Sequence, residues 1–229
     1  MATKTYRFAF AFAVMTVHAA LAQRGPSPAN IQEVLDPQFQ NSSLLYAKAA
    51  PNDNPFLINE FLPVDIAMKN EKTLKNVKVK YDIERQILFA EDHGRYVILS
   101  TNLIKSFDMK LPDASEVSRF INMIDDGKEF FYEVVADGDI KLLKKTTKVR
   151  QRKTEVNSTG YNDEGARPSA YRTNESYYLL KADGLHQVRL TNKSILKTIG
   201  SDRYNECAKN YDLKLSQIND IKILLRDCK

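Results

Sequence analysis

Tryptophan is absent from this 229-residue chain, cysteine occurs twice and histidine three times. So few imidazoles and thiols argue against a dense metal centre or a disulfide-rich miniature scaffold. The eight glycines are isolated, so no loop reads as a phosphate cradle. G-x-S-x-G, H-E-x-x-H and Walker patterns do not occur, which removes the commonest nucleophile, zinc and nucleotide signatures. No catalytic set, cofactor or metal is therefore expected. Beyond the first 22 residues there is also no apolar run of the ~20 residues that a membrane-spanning helix needs.

The start of the chain is different. Lys4 and Arg7 precede an apolar stretch from Phe8 to Ala22, which ends in Ala20-Leu21-Ala22. A short positive region, about fifteen apolar residues and small residues before a polar stretch form the pattern of a cleavable secretory signal. Residues 1–22 are read as that signal, with cleavage near Ala22-Gln23. No cysteine lies nearby to accept a lipid. The expected location is periplasmic or secreted, with no transmembrane segment in the mature chain.

Removing the signal leaves 207 residues, enough for one large domain or two small ones, and lowers the formal charge from +5 to +3. That mild excess does not mark a nucleic-acid binder, and export makes nucleic acid a poor partner. Eleven Tyr and eleven Phe suit strands and packed sheet faces.

Residues 23–54 hold Pro26, Pro28, Pro37 and Pro51 and read as an irregular lead-in. Residues 55–191 change to short apolar runs with period-two alternation, the signature of an antiparallel β domain. Val77, Val79, Tyr81 and Ile83 share one face of a strand whose other face carries Lys78, Lys80 and Asp82. Strands are predicted at 64–68, 77–83, 85–90, 96–100, 103–109, 120–123, 129–136, 140–149, 177–181 and 185–190. Glu129–Ala136 is apolar on both faces and so is placed centrally. Residues 151–175 read as a mobile loop. From residue 192 to 229 the period becomes helical, giving two or three short helices. The fold class is α+β: a mainly antiparallel β-meander or curved sheet followed by C-terminal helices.

Cys207 and Cys228 fall in this helical segment. In a tight helical hairpin turning near residues 212–215 their heights differ by roughly 10 Å, too far for a bridge. A different helix arrangement brings them together; two free thiols or an interchain crosslink are the alternatives.

The runs Pro55–Phe61, Phe130–Lys144 and Tyr177–Leu180, with the helix pair at Ser201–Cys228, resemble a family of uncharacterised exported proteins of Bacteroidota. The resemblance covers most of the mature chain and implies compartment and architecture. It implies no activity, and Cys207 and Cys228 depart from it. It also makes the four N-x-S/T matches, at Asn41, Asn157, Asn174 and Asn192, chance occurrences rather than glycan acceptors.

Two features carry the remaining chemistry. His93 stands in a turn beside Glu91 and Asp92, and His186 stands on a strand opposite in facing to Leu185; both read as solvated or half-buried residues. Lys141–Lys153 is strongly basic, and alternation lines Lys144, Lys148, Arg150 and Arg152 on one face. Such a stripe suits an anionic envelope component or the acidic surface of another exported protein; it also suits a solvated edge protected from pairing. The leading expectation is a non-enzymatic exported interaction or accessory protein. The alternatives are an envelope hydrolase and a carrier of small apolar ligands.

Overall fold

A computed structural model describes residues 54–92, 95–151 and 170–228. The signal and most of the lead-in, as well as His93 and Arg152, lie outside the described residues.

Ten strands form one antiparallel sheet: β1 (Leu62–Met68), β2 (Thr73–Asp82), β3 (Ile87–Asp92), β4 (Arg95–Leu99), β5 (Ile104–Met109), β6 (Ser118–Asp125), β7 (Lys128–Ala136), β8 (Lys141–Gln151), β9 (Ala170–Lys181) and β10 (Gly184–Val188). Their order across the sheet is β10-β9-β8-β7-β6-β5-β1-β2-β3-β4. The sheet is two meanders, β1–β4 and β5–β10, joined where β5 pairs with β1 instead of with β4. Three helices follow: α1 (Asn192–Ile199), α2 (Asp202–Asn210) and α3 (Ile218–Asp227). No helix among the described residues is long and apolar enough to cross a membrane.

Each expected strand is present, and the turn chemistry explains the pairing. Between β6 and β7, Asp126 and Gly127 both take positive φ, the two-residue turn whose twist matches its flanking strands. Several ends shift by two to four residues, Arg85 and Gln86 falling in the β2–β3 turn instead of in β3, and the largest difference is at β9. Residues 170–175 belong to β9, which pairs with β8 from Lys141↔Leu180 to Gln151↔Ala170. The expected loop over 151–175 is therefore too long. Tyr171–Ser176 lacks apolar alternation and so hides its strand character, which comes from the partner strand.

β7 is central, with cores on both faces. Phe131 is buried among Tyr81, Phe107 and Phe120 from β2, β5 and β6. Tyr132, one residue on, is buried on the opposite face with Leu143 and Tyr178. The face of Phe131 continues onto β8 to β10, where Leu142, Leu179 and Val188 meet Ile195, Ile199, Ile221, Leu224 and Leu225 of the helices. Burying each such side chain contributes about 1.5–3 kcal/mol. Helices of eight to ten residues, marginal alone, are stable here because of that packing. Between the two cores Lys144 pairs with Glu133 at 2.7 Å, and Ser118 donates to Glu133.

The sheet splits in one place. β7 pairs with β8 only over Glu133↔Lys144 to Ala136↔Leu142, with a register shift between Val134 and Ala136. Beyond Lys144, β8 pairs with β9 alone. The β2–β3 turn enters the resulting wedge through Gln86, which is 4% exposed and has φ of 61°. Its amide nitrogen donates to the carbonyls of Ile83 and Thr146; its amide oxygen accepts from the Tyr81 hydroxyl and the Phe131 N–H. One buried side chain thus replaces the missing bonds between β7 and β8, with its hydrogen-bonding capacity filled.

Candidate functional site

Lys144, Lys148 and Arg150 of the basic stripe lie on β8, and all three are engaged by the fold. Lys144 lies in the seam between the cores, 2.7 Å from Glu133 and 3.9 Å from Glu175. Burial lowers its pKa, but the Glu133 carboxylate outweighs that, and the net shift is upward. Lys148 donates its ammonium to the carbonyls of Asn54 and Phe56 at 3.1 and 2.5 Å, tying β8 to the segment before β1. Burial pushes its pKa down, against the opposing charge of Asp82. Arg150 donates to the Tyr171 hydroxyl and lies over that ring; Tyr171 in turn donates to Glu84. The structure thus brings Lys144, Lys148 and Arg150 onto three separate internal anchors. Alternation identified their shared strand but could not reveal those partners, which come from residues 54–56, 84, 133 and 171.

Lys145, on the opposite face, is held more tightly still. Its ammonium lies 2.6 Å from Asp125 and 4.2, 5.5 and 5.2 Å from the ring centres of Phe130, Tyr132 and Tyr178. Cation–π attraction and a carboxylate together satisfy a lysine whose side chain is only 14% exposed. The hydrogen bonds from Lys145 and Tyr132 pull the Asp125 pKa down.

The aromatic interior where a carrier would hold an apolar molecule is filled by its own rings. Tyr81, Phe107, Phe120 and Phe131 pack with centroids 4.7–5.8 Å apart, in edge-on and stacked pairs. Val135 packs on the other core, with the helices.

Cys207 and Cys228 form a disulfide with a Cα separation of 5.9 Å. The tight-hairpin geometry that would keep them apart is not the one adopted. Residues 211–217 carry the chain away from α2 before α3 returns it. That connection can cover far more than the roughly 10 Å offset, since an extended residue spans about 3.3 Å. Asn192 fixes its path by donating to the Leu213 carbonyl and accepting from the Leu215 N–H, while Leu213 and Leu215 are buried. The Asn192 amide is therefore committed to the fold.

A described pocket lined by polar and basic side chains lies elsewhere. An open groove of about 520 Å³ lies between the β9–β10 hairpin and α1, lined by Lys181, Leu185, His186, Gln187, Ser194, Lys197 and Thr198. Thr191 caps α1 by accepting from the Ser194 N–H, and Gly200 ends it in the left-handed conformation. Ile195 and Ile199 face the core, which turns Lys197 to solvent. Lys181, at the end of β9, donates to the Thr198 carbonyl at the C-terminus of α1, where a cation also complements the helix dipole. His186 lies 2.9 Å from Asp183, which also lies 3.4 Å from Lys181. Those neighbours hold the Asp183 carboxyl below its usual range, the His186 contact first. The groove therefore offers two lysines and a histidine, two of which, Lys181 and His186, contact the exposed carboxylate of Asp183.

Of these residues the sequence reading singled out His186 alone, and its facing away from Leu185 agrees with the register His186↔Leu179 and Leu185↔Leu180. Lys181 and Lys197 carried a faint signal: they flank a hairpin turn and stand on the polar side of a short amphipathic helix. No protein-family model, curated protein or solved structure matches this chain.

Proposed function

We propose that this chain is an exported interaction module, stapled by its own disulfide, that docks an anionic partner in the groove between β10 and α1. The observation that carries this is the groove itself, which Lys181, His186 and Lys197 line together, with Asp183 beside Lys181 and His186. Lys197 is exposed in that groove, and Lys181 and His186 share one solvent-exposed carboxylate, whereas Lys144 and Lys148 are drawn into the sheet by Glu133 and by the backbone carbonyls of Asn54 and Phe56. The disulfide supports export, since such bonds persist in oxidising compartments, and so does the signal pattern of residues 1–22. Membership of the exported Bacteroidota family remains part of this proposal.

Two measurements test it. The mature N-terminus recovered from an envelope or culture fraction should be Gln23; an intact Met1 in the exported fraction refutes cleavage. Fluorescent poly-L-glutamate should bind the chain in low salt and release as salt rises. The double variant Lys181→Gln/Lys197→Gln should bind at least tenfold more weakly. Lys75→Gln/Lys110→Gln removes equal charge from exposed positions elsewhere and should change binding far less. Equal loss in both double variants would show net charge acting, and the groove assignment would fall.

A further inference from the structure

β10 is an edge of the sheet: it pairs with β9 on one side, and among the described residues no strand lies beyond it. An edge strand presents a row of main-chain donors and acceptors that another extended chain can pair with. β10 keeps that row regular. Its five register pairs with β9 run without a shift, from Gly184↔Lys181 to Val188↔Tyr177, whereas β1 and β7 both carry one. The sequence Gly184-Leu185-His186-Gln187-Val188 has no proline to interrupt pairing. At about 3.3 Å per residue the edge is roughly 16 Å long.

The second wall is α1. Gln187 and Ser194 line the same groove as Leu185, Lys181, Lys197 and Thr198, so residues from the beginning and the end of α1 both flank the edge. An edge strand beside a helix is the arrangement in which a peptide is captured by strand addition, with main-chain bonds giving affinity and alternate side chains giving selectivity. We propose that the groove binds an extended, acidic segment of a partner polypeptide, which joins the sheet as an eleventh strand next to β10. This rests on the anionic-docking reading above and names the class of partner.

The two faces of the sheet specify the partner's pattern. On the face of α1 an added strand would meet His186, with Lys181 and Lys197 beside it; carboxylates fit there. On the opposite face it would continue the surface of Leu185, Leu180 and Tyr178, whose partly buried members favour apolar neighbours. Because side chains alternate along a strand, the partner segment should alternate acidic and apolar residues over about five positions. A polysaccharide offers the charge but has no row of amides to match the edge.

The test uses the mature, disulfide-intact chain and an acetylated octapeptide alternating glutamate and valine. Two further versions carry N-methyl groups, one on every valine and one on every glutamate. Strand addition uses the amides of one set only, so one methylated peptide should lose at least tenfold in affinity and the other should bind like the parent. Which set fails gives the strand direction. Hydrogen exchange of the Leu185–Val188 amides should also slow when the parent peptide binds. If both methylated peptides bind like the parent, strand addition is overturned while groove docking stands. If the parent peptide binds Lys181→Gln/Lys197→Gln as tightly as the unaltered chain, the docking reading fails with it. Tighter binding of polygalacturonate than of the peptide, with no change in β10 exchange, would assign the groove to an acidic polysaccharide instead.

Discussion

Replacing Gln86 should reveal how much of this sheet depends on one buried amide. In Gln86→Met the side chain keeps nearly its volume and the backbone keeps a non-glycine residue at φ of 61°, so the change is mainly one of hydrogen bonding. Four bonds are lost, to Ile83, Thr146, Tyr81 and Phe131. The Ile83 carbonyl retains the Lys148 N–H, which leaves the Tyr81 hydroxyl, the Phe131 N–H and the Thr146 carbonyl to find new partners. Tyr81 is 2% exposed and Phe131 1%, so water reaches neither easily. Each stranded group costs about 1–3 kcal/mol, and partial relaxation brings the sum to roughly 3–5 kcal/mol. That is a large share of the ~5–15 kcal/mol typical of a domain. Urea unfolding followed by circular dichroism should record the loss, as a lower midpoint at similar slope. Hydrogen exchange at Phe131 should accelerate before global unfolding. A loss below about 1 kcal/mol, with Phe131 exchange unchanged, would refute the idea that Gln86 holds the β7–β8 split together.

The remaining predictions concern the staple and the buried charges. Reducing Cys207–Cys228, which closes a loop of 21 residues in sequence separation, should cost about 3 kcal/mol in thermal or urea unfolding; an unchanged midpoint would mean the bridge restrains nothing. Asp82 is buried; its Oδ1 accepts from the Glu84 and Arg85 N–H groups, while Oδ2 has no hydrogen-bond partner among the described residues. Burial raises its pKa, so its ionisation weakens the fold as pH rises from the unfolded value near ~3.9 through the folded one. Asp82→Asn should therefore be more stable than the native chain at pH 7, with the gap closing towards pH 4; a pH-independent difference would contradict this. Lys145→Met should lose about 1–2 kcal/mol by removing the cation from Asp125 and three rings. The Asp125 carboxyl is held low, so its contribution is present above the unfolded value and is lost as pH falls through the folded one. The Lys145→Met deficit should shrink in acid; a deficit that stays constant there would point to packing alone.

The strands were legible because a half-buried strand must alternate. Val77, Val79, Tyr81 and Ile83 announced β2, and the apolar character of both faces in residues 129–136 announced a central strand with a core on either side. Tyr171–Ser176 was not legible, because a strand wet on both faces has no hydrophobic period to read. The basic stripe was visible as a run of charge, but charge in sequence does not say which cations remain available. Lys148 is engaged by carbonyls more than 90 residues away in the chain. The groove residues were scattered over Lys181 to Thr198, on two elements whose relative placement no local pattern encodes.

The sequence by itself determined element type, strand order of appearance, the helical end and the signal-like start. These follow from periodicity, turn residues and local composition, all properties of neighbouring residues. Tertiary structure alone decided the rest: that β5 pairs with β1 instead of with β4, that Gln86 bridges the split, that Cys207 meets Cys228, and that β10 is left as an edge beside α1. Each of those depends on groups far apart in the chain finding partners once water is excluded. The free energy of burial and pairing belongs to the assembled contacts, not to any one segment.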